Sequence, residues 1–443
     1  MQKLRSKKQL ILYGCSGLGV NMLTLILGTH LCSALLTGGF IDNVASWTYL
    51  NKNLVIAGLW SVLIFFAKAL DGIIDLPLAT FADKLNTRFG RRKTALALGW
   101  IPMVIMYLLF LVPLNNGATL LNTIWFGILL CGFYTCYTLT MLTYYATFSE
   151  VCEDEKATFF LSNTKSICDV VYFSLGYALI PLFINLQINI RIVALIFLPL
   201  ALSMLIPFFL LKENADGSEE NVRALTLKES LSVSFKNKTY IYWLFTAAIM
   251  SIGVQLFLGG VAEVFSTTGL NMTFVMASSF APVPLTIMVY NKMVKKYGLA
   301  IAYQYILSIF SVGMLIMFVC VMNAKNLSMG MLTGIAIGAA VLVSFAIGAF
   351  FSVTYMVPSY LARLTYERTG KGVASMYFAV QGLFEGIAAG IATGLILVTL
   401  KDNGVIHVLP LIVVIFCMAA FLMSCFFDDD VRYMGKVKTE LKV

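Results

Sequence analysis

Residues 65–76 read FFAKALDGIIDL, an apolar run that contains one lysine and two aspartates. The chain around it is strongly apolar: 60% of the 443 residues are hydrophobic and 12% are charged, whereas soluble domains have roughly 25% charged residues. Many stretches exceed the roughly 18 apolar residues that a helix needs to cross a bilayer. The sequence therefore predicts a polytopic membrane protein, and these three charges are expected at membrane depth.

Twelve apolar segments are long enough to span a membrane. Their predicted limits are 9–35, 53–81, 94–113, 119–148, 159–186, 190–211, 239–267, 271–293, 299–322, 330–357, 373–400 and 405–427. The longest polar stretch falls between the sixth and seventh segments, so we predict an all-α fold of two six-helix halves. The expected regions are an N-terminal half at 1–211, a cytoplasmic linker at 212–238, a C-terminal half at 239–427 and a cytoplasmic tail at 428–443. The segments TRFGRRKTALALG and KKYGLAIAYQYIL, which follow spans 2 and 8, are weakly similar, as repeated halves would be.

The basic residues predict the orientation of the chain. With a cytoplasmic N-terminus, 25 of the 31 lysines and arginines fall in cytoplasmic segments. Four fall in outside loops, namely Lys52, Arg191, Lys325 and Lys401. This asymmetry favours two cytoplasmic termini in a plasma membrane. Basic loops facing anionic lipid account for the net charge of +9 without a nucleic-acid partner.

Motifs for catalysis are absent from the sequence. The nine cysteines include no CxxC pair, and the two histidines, His30 and His407, lie far apart. No Walker-type GxxxxGK[ST] loop and no serine–histidine–acid set is apparent. We therefore expect free thiols, no cofactor and no enzymatic activity.

The charges within the spans have two interpretations. Lys68, Asp71 and Asp75 have the spacing i, i+3, i+7, which places them within a roughly 60° stripe of one helix. This stripe is not expected to face lipid, because a charge at mid-membrane costs at least about 2.5–3.5 kcal/mol. Further charges within spans are Lys165, Asp169, Glu263 and Glu385. These groups are either internal ion pairs that hold helices together or the lining of a cavity that binds a cation and a polar solute.

The segment that follows Asp75 carries a family resemblance. It reads LPLATFADKLNTRFGRRK. Two acids four residues apart, Asp71 and Asp75, are thus followed by a third acid, Asp83, and then by R-x-G-R-R-K. This pattern resembles the second helix and following loop of the glycoside–pentoside–hexuronide:cation symporters, the melibiose-permease-like branch of the major facilitator superfamily. YGCSGLGVN in span 1 and YYATFSEV at the end of span 4 are also similar. The resemblance implies the twelve-helix major facilitator fold and cation-coupled symport by alternating access.

The resemblance also implies roles for particular residues. Asp71 and Asp75 match the acids that bind the coupling cation, sodium or proton, and a sodium ion there would be the only metal. The predicted substrate-binding residues are Asn21, Lys68, Tyr145, Lys165, Asp169, Gln381 and Glu385. The predicted conformational latch comprises Asp83, Arg88, Gly90, Arg91 and Arg92, and the alternative is that these basic residues only anchor the loop on the cytoplasmic side. Three positions depart from melibiose permease: Asn21 and Met141 stand where it has sugar-contacting aspartates, and Glu385 stands where the family has a lysine.

Three functions remain open at this point. The first is cation-coupled symport of a polar solute, with a sugar or glycoside as the first expectation. The second keeps the fold but carries a lysolipid or another amphipathic solute, and the third is a sensor that binds without transporting. In each case the expected partners are a small molecule and membrane lipid, and the protein is expected to act as a monomer.

Overall fold

The computed structural model describes residues 4, 6–38, 40–41, 43–85, 87, 89–152, 155–211, 235–266, 268–369 and 374–436. The chain divides into two compact units, Met1–Asn221 and Val222–Val443. The predicted linker at 212–238 lies largely outside the described residues, as does the end of the predicted tail. Within the described residues, twelve helices are long and apolar enough to cross a membrane.

Six of these helices belong to the N-terminal unit. They are α1 (Lys7–Ala34), α2 (Ala57–Lys84), α3 (Arg91–Phe110), α4 (Leu120–Val151), α5 (Glu155–Asn185) and α6 (Ile190–Leu210). Helix α4 packs against both α2 and α3, while α1 packs against α5 and α6. Side-chain caps begin two of the helices: Thr119 accepts a hydrogen bond from the Asn122 amide before α4, and Asn189 accepts one from the Arg191 amide before α6.

The C-terminal unit holds the other six. They are α7 (Lys238–Ser266), α8 (Thr273–Tyr297), α9 (Leu299–Met322), α10 (Met329–Thr369), α11 (Ala374–Asp402) and α12 (Leu409–Ser424). Helix α7 packs against α11 and α12, and α10 packs against α8 and α9. A short helix, Asp429–Arg432, follows α12.

The predicted all-α fold with twelve membrane helices is confirmed, and most helix ends agree with the predicted limits within a few residues. The exception is α10, which continues from the predicted end at 357 to Thr369. Its 41 residues correspond to about 60 Å at 1.5 Å per residue, twice the roughly 30 Å of the hydrocarbon core. The sequence of the extension is polar, and a search for apolar windows cannot detect the polar continuation of a helix.

Four of the described helices are irregular, and one of them, α8, is interrupted at residues 281–282 between Met272–Phe280 and Val283–Tyr297. Helix α1 is interrupted at residues 15–16 and becomes a π-helix over Ile26–Leu31. Helix α11 contains a second π-helical stretch, Ile391–Leu397, and α6 contains a 3₁₀ stretch, Leu198–Met204, with a proline in its first turn. Such stretches reposition the side chains that follow them and are frequent near functional sites.

Candidate transport site

The acidic stripe of α2 faces α4. Thr138 of α4 donates a hydrogen bond of 2.6 Å from its hydroxyl to Oδ1 of Asp71. The ammonium of Lys68 lies 4.1 Å from the centre of the Tyr134 ring, also on α4. A cation over a tyrosine face is stabilised by the negative face of the ring. Two of the three charges predicted for α2 are therefore directed at neighbouring side chains and not at lipid.

Asp75 lies one turn beyond Asp71 and has a different environment. Its side chain is half-buried, and among the described residues it has neither a hydrogen-bond donor nor an ion-pair partner. The carboxylate of Asp71, one turn earlier on α2, repels the carboxylate of Asp75. Two carboxylates one turn apart create a negative site, which a bound cation or proton would stabilise.

A second polar cluster joins α1, α4 and α5. Lys165 and Asp169 form an ion pair within α5, and each side chain is 15% exposed. The Asn21 amide of α1 donates to Oδ1 of Asp169 over 3.2 Å, and it accepts a hydrogen bond of 3.1 Å from the Tyr137 hydroxyl of α4. The Lys165 ammonium also lies 4.9 Å from the centre of the Tyr145 ring.

Helix α4 connects the two clusters. Tyr137 and Thr138 are consecutive residues, and their hydroxyl groups donate to Asn21 and Asp71 respectively. The charged side chains of the combined set are two lysines, Lys68 and Lys165, and three aspartates, Asp71, Asp75 and Asp169. When all are ionised, the set carries one net negative charge, which a single monovalent cation would neutralise.

Met141 occupies the α4 position at which the resemblance placed a sugar-contacting aspartate. It is 4% exposed, and its methyl group lies 3.3 Å from the point where a Cβ of Gly17 would be. This methionine therefore fills the contact between α1 and α4. The side chains of α4 that contact the charged clusters are instead Tyr134, Tyr137, Thr138 and Tyr145.

Gln381 and Glu385 lie together on α11 in the C-terminal unit. The Gln381 amide donates to Oε1 of Glu385 and to the carbonyl of Thr354, each over 2.9 Å. Its carbonyl accepts a hydrogen bond of 2.8 Å from the Trp243 indole. Both hydrogens of the amide are therefore used within α7, α10 and α11, and Gln381 orients the Glu385 carboxylate. Direct contact of either residue with substrate remains a prediction.

Glu263 of α7 forms an ion pair with Lys401 at the end of α11. Their side chains are 1% and 2% exposed, so this pair is fully buried. The sequence interpretation of Lys401 as an outside-loop residue is wrong, because α11 extends to Asp402 and the lysine turns inward to Glu263. For these two residues the structure favours the first interpretation of buried charges, an ion pair that holds helices together.

Only part of the predicted latch falls within the described side chains. Arg88 and the Asp83 side chain lie outside them. Gly90 begins α3 with φ 96° and ψ 151°, a conformation that is open almost only to glycine. Its carbonyl accepts hydrogen bonds from the Thr94 hydroxyl (2.8 Å) and the Thr87 hydroxyl (3.1 Å).

The basic residues that follow this turn differ in exposure. Arg92 is 7% exposed and Arg91 is half-buried, although both lie at the start of α3. The corresponding turn of the other unit contains Gly298, which begins α9 with φ 92° and ψ 165°. The weak sequence similarity after spans 2 and 8 therefore corresponds to the same backbone turn in each unit.

The sequence interpretation named Tyr145 and Met141 of α4 but missed Tyr134, Tyr137 and Thr138. Tyr134, Tyr137, Thr138, Met141 and Tyr145 recur at the spacing of one helix face, and this stripe was a signal that could have been used. Within the described part of the chain there is no group of three histidine, cysteine, aspartate or glutamate residues that could hold a metal ion. A sodium ion at Asp71 and Asp75 would thus need further oxygen ligands, such as the Thr138 hydroxyl, a substrate or water.

Twelve helices long enough to cross a membrane, with charged side chains grouped within the described helical units, are typical of membrane transporters. A family model described as MFS/sugar transport protein matches residues 12–427, and the chain belongs to that family, within the major facilitator superfamily. Membership in a transporter family confirms that the protein is not an enzyme. No curated protein sequence has significant similarity to this chain.

Solved structures of other transporters have the same fold. The nucleoside transporter NupG is 14% identical with a TM-score of 0.63, over 95% of this chain and 98% of that one. A mutant of the same nucleoside transporter is 15% identical with a TM-score of 0.65, over 95% and 100%. A bacterial homologue of the human lysosomal transporter Spinster, in an inward-facing and unoccupied conformation, is 14% identical with a TM-score of 0.59, over 96% and 99%. At these identities the similarity concerns the fold alone.

Proposed function

We propose that this transporter is a cation-coupled symporter of a small polar solute, with a sugar or glycoside as the expected substrate, in the glycoside–pentoside–hexuronide:cation branch. The observation that carries the proposal is the charge of the joined clusters in the N-terminal unit. Three aspartates and two lysines leave one net negative charge, and the carboxylate of Asp75 lacks a partner among the described residues. This excess is suited to a cation that enters and leaves with each transport cycle.

Asp71 and Asp75 are the proposed cation ligands. Thr138 holds one oxygen of Asp71, which leaves the second oxygen and both oxygens of Asp75 for a sodium ion or a proton. Lys68 lies on the same stripe and is positioned by the Tyr134 ring. Its positive charge offsets one of the aspartates, so that one monovalent cation is enough to neutralise the negative charge that remains in the joined clusters.

The second cluster is the proposed substrate site. Asn21, Lys165 and Asp169 offer both donors and acceptors, and sugar hydroxyls need both. Tyr145 is 37% exposed beside Lys165, so its ring provides an apolar face for a sugar. Because Tyr137 and Thr138 are adjacent on α4, a cation that moves Asp71 would also shift the donor that orients Asn21. This connection is a physical route for coupling.

The alternatives are distinguished by the substrate. Met141 fills the contact between α1 and α4 where the family resemblance implies a carboxylate, which supports a less polar solute and keeps a lysolipid or other amphipathic cargo as the second candidate. The proposed setting for either cargo is the plasma membrane with both termini in the cytoplasm, and the proposed functional unit is a monomer. The turn at Gly90 with Arg91 and Arg92 is the proposed latch that biases one transport state.

A thermal-shift screen of the purified protein tests the proposal. Sugars, nucleosides and lysolipids are each added with and without sodium, at two pH values. A ligand at 100 times its Kd stabilises the folded state by about 2.7 kcal/mol. The account predicts that a sugar or glycoside raises the melting temperature and that sodium or lower pH increases this shift.

Two variants make the screen specific. Asp75→Asn should abolish the cation-dependent part of the shift, whereas Asp402→Asn, which changes an exposed aspartate at the end of α11, should leave it intact. A lysolipid that gives a shift when no sugar does would favour the second candidate. A shift that is independent of cations in the unaltered protein would contradict coupling.

A further inference from the structure

Two cysteines that are far apart in sequence meet beside the proposed substrate site. The thiol of Cys168 on α5 lies 2.8 Å from the sulfur of Cys15 on α1, across a separation of 153 residues. This distance exceeds the length of a disulfide bond, about 2.03–2.05 Å, by less than 1 Å. Both residues are free thiols in the structure.

The backbone explains why the two sulfurs meet. Cys15 lies in the interruption of α1 between Lys7–Gly14 and Gly17–Leu25. At Gly14, a Cβ atom would lie 2.9 Å from the Thr164 side chain of α5, so glycine lets this side chain pack directly against the backbone of α1. The next turn of α5 then places Cys168 against Cys15, and the two thiols form part of a tight contact between helices.

The same contact borders the charged groups of the site. Cys168 immediately precedes Asp169, which pairs with Lys165 and accepts the hydrogen bond from Asn21 of α1. The Cys15–Cys168 and Asn21–Asp169 contacts thus both connect α1 to α5. A covalent bond at the first contact would restrict separation of the helices at the second.

We propose that Cys15 and Cys168 are an oxidisable thiol pair, and that their conversion to a disulfide ties α1 to α5 and stops transport. The disulfide part of the proposal is independent of the substrate, whereas its effect on transport rests on the proposed function. The oxidant is a low-molecular-weight disulfide such as glutathione disulfide.

The reaction proceeds by two thiol–disulfide exchanges. Cys15 is half-buried and Cys168 is 7% exposed, so the thiolate of Cys15 attacks the oxidant first and releases one glutathione thiol. The thiolate of Cys168 then attacks the Cys15 sulfur of the mixed disulfide and releases the second. Two protein thiols lose two electrons, the oxidant gains them, and the two protons end on the released glutathione.

Peptide mass spectrometry tests the bond directly. The full-length protein in liposomes is treated with glutathione disulfide, and the remaining thiols are alkylated before digestion. The account predicts a peptide pair linked through Cys15 and Cys168 that disappears on reduction. It should be absent from Cys15→Ser and present in Cys131→Ser, which changes a half-buried cysteine of α4. If both thiols are still alkylated after treatment of the unaltered protein, the proposal is overturned.

Transport by the same preparations tests the consequence. Initial uptake should fall by about tenfold or more on oxidation, because the bond confines the helices to one arrangement, and dithiothreitol should restore it. Cys15→Ser and Cys168→Ala should transport normally and resist the oxidant, while Cys131→Ser should remain sensitive. A linked protein that transports at the reduced rate would overturn the regulatory role. Linkage in a protein that transports no sugar in either state would instead refute the proposed function.

Discussion

The buried ion pair between Glu263 and Lys401 gives a quantitative prediction for the C-terminal unit. Both side chains are almost fully buried, and Oε2 of Glu263 has no hydrogen-bond partner among the described residues. Lys401→Met would leave a lone carboxylate and Glu263→Met a lone ammonium, in each case within a site that excludes water. Removing one partner of a buried pair costs about 3–5 kcal/mol. Methionine has a helix propensity close to that of both original residues, so propensity does not confound the comparison.

The group that remains in each single variant can become neutral by gaining or losing a proton. The loss of stability in each variant should therefore depend on pH. At pH 7, protonating an ordinary glutamate costs about 3.7 kcal/mol and deprotonating an ordinary lysine costs about 4.6 kcal/mol, both within the expected loss. The loss in Lys401→Met should therefore shrink as the pH falls, to about 1.6 kcal/mol at pH 5.5. The loss in Glu263→Met should shrink as the pH rises.

Apparent melting temperatures at one scan rate measure these losses. At about 2–4 °C per kcal/mol for a unit of this size, each single variant should melt about 6–20 °C below the unaltered protein at pH 7. The double variant replaces the pair by apolar groups of similar volume and should recover most of the loss, without a pH dependence of its own. Additive losses in the double variant, or single variants with parallel pH profiles, would refute the ion-pair account.

Three further predictions concern the N-terminal unit. Gly90→Ala should lower stability by about 1–3 kcal/mol, because the positive φ of this turn is unfavourable for alanine. The control variant Gly117→Ala, at an open loop position, should change stability little. Equal melting temperatures for the two variants would exclude strain at Gly90. Lys165→Ala should reduce substrate affinity at every cation concentration, and combining it with Asp169→Ala should not restore binding in a titration. Recovery of the original affinity in that double variant would make Lys165 a structural counter-ion only. Tyr137→Phe should weaken substrate binding by about 2- to 12-fold, the equivalent of one hydrogen bond, and an unchanged Kd would separate Tyr137 from the site.

The sequence was sufficient to predict the twelve helices and the segments of α2 and α5 that carry charged residues within a membrane span. Apolar length is a property of each helix by itself, and a charged residue within such a helix must be turned away from lipid whatever its neighbours are. Asp71, Asp75, Lys165 and Asp169 could therefore be singled out before any contact was known.

The partners of these charges could not be predicted in the same way. Thr138 and Tyr137 are ordinary membrane-helix residues by composition, and only their position opposite Asp71 and Asn21 gives them a role. Lys401 shows the same limit. A lysine at the end of a span is equally compatible with a loop and with a buried partner on another helix, and Glu263 decides between them.

Contacts between residues far apart in sequence, and irregular stretches within helices, could also not be predicted. The contact between Cys15 and Cys168 depends on the interruption of α1, for which the apolar pattern contains no signal. The π-helical stretches of α1 and α11 similarly leave the hydrophobic pattern intact. Periodicity identifies a helix, but it does not specify where the helix changes its winding.

The most direct test of the central claim is gradient-driven uptake by purified protein in liposomes, using the solute that stabilises it in the thermal-shift screen. With an inward sodium or proton gradient, the unaltered protein should accumulate the solute above its outside concentration. Asp71→Asn and Asp75→Asn should each abolish this accumulation while the protein remains folded in the membrane, because each removes one carboxylate from the proposed cation site. Concentrative uptake at the unaltered level in both variants would contradict the assignment of Asp71 and Asp75 as the coupling site.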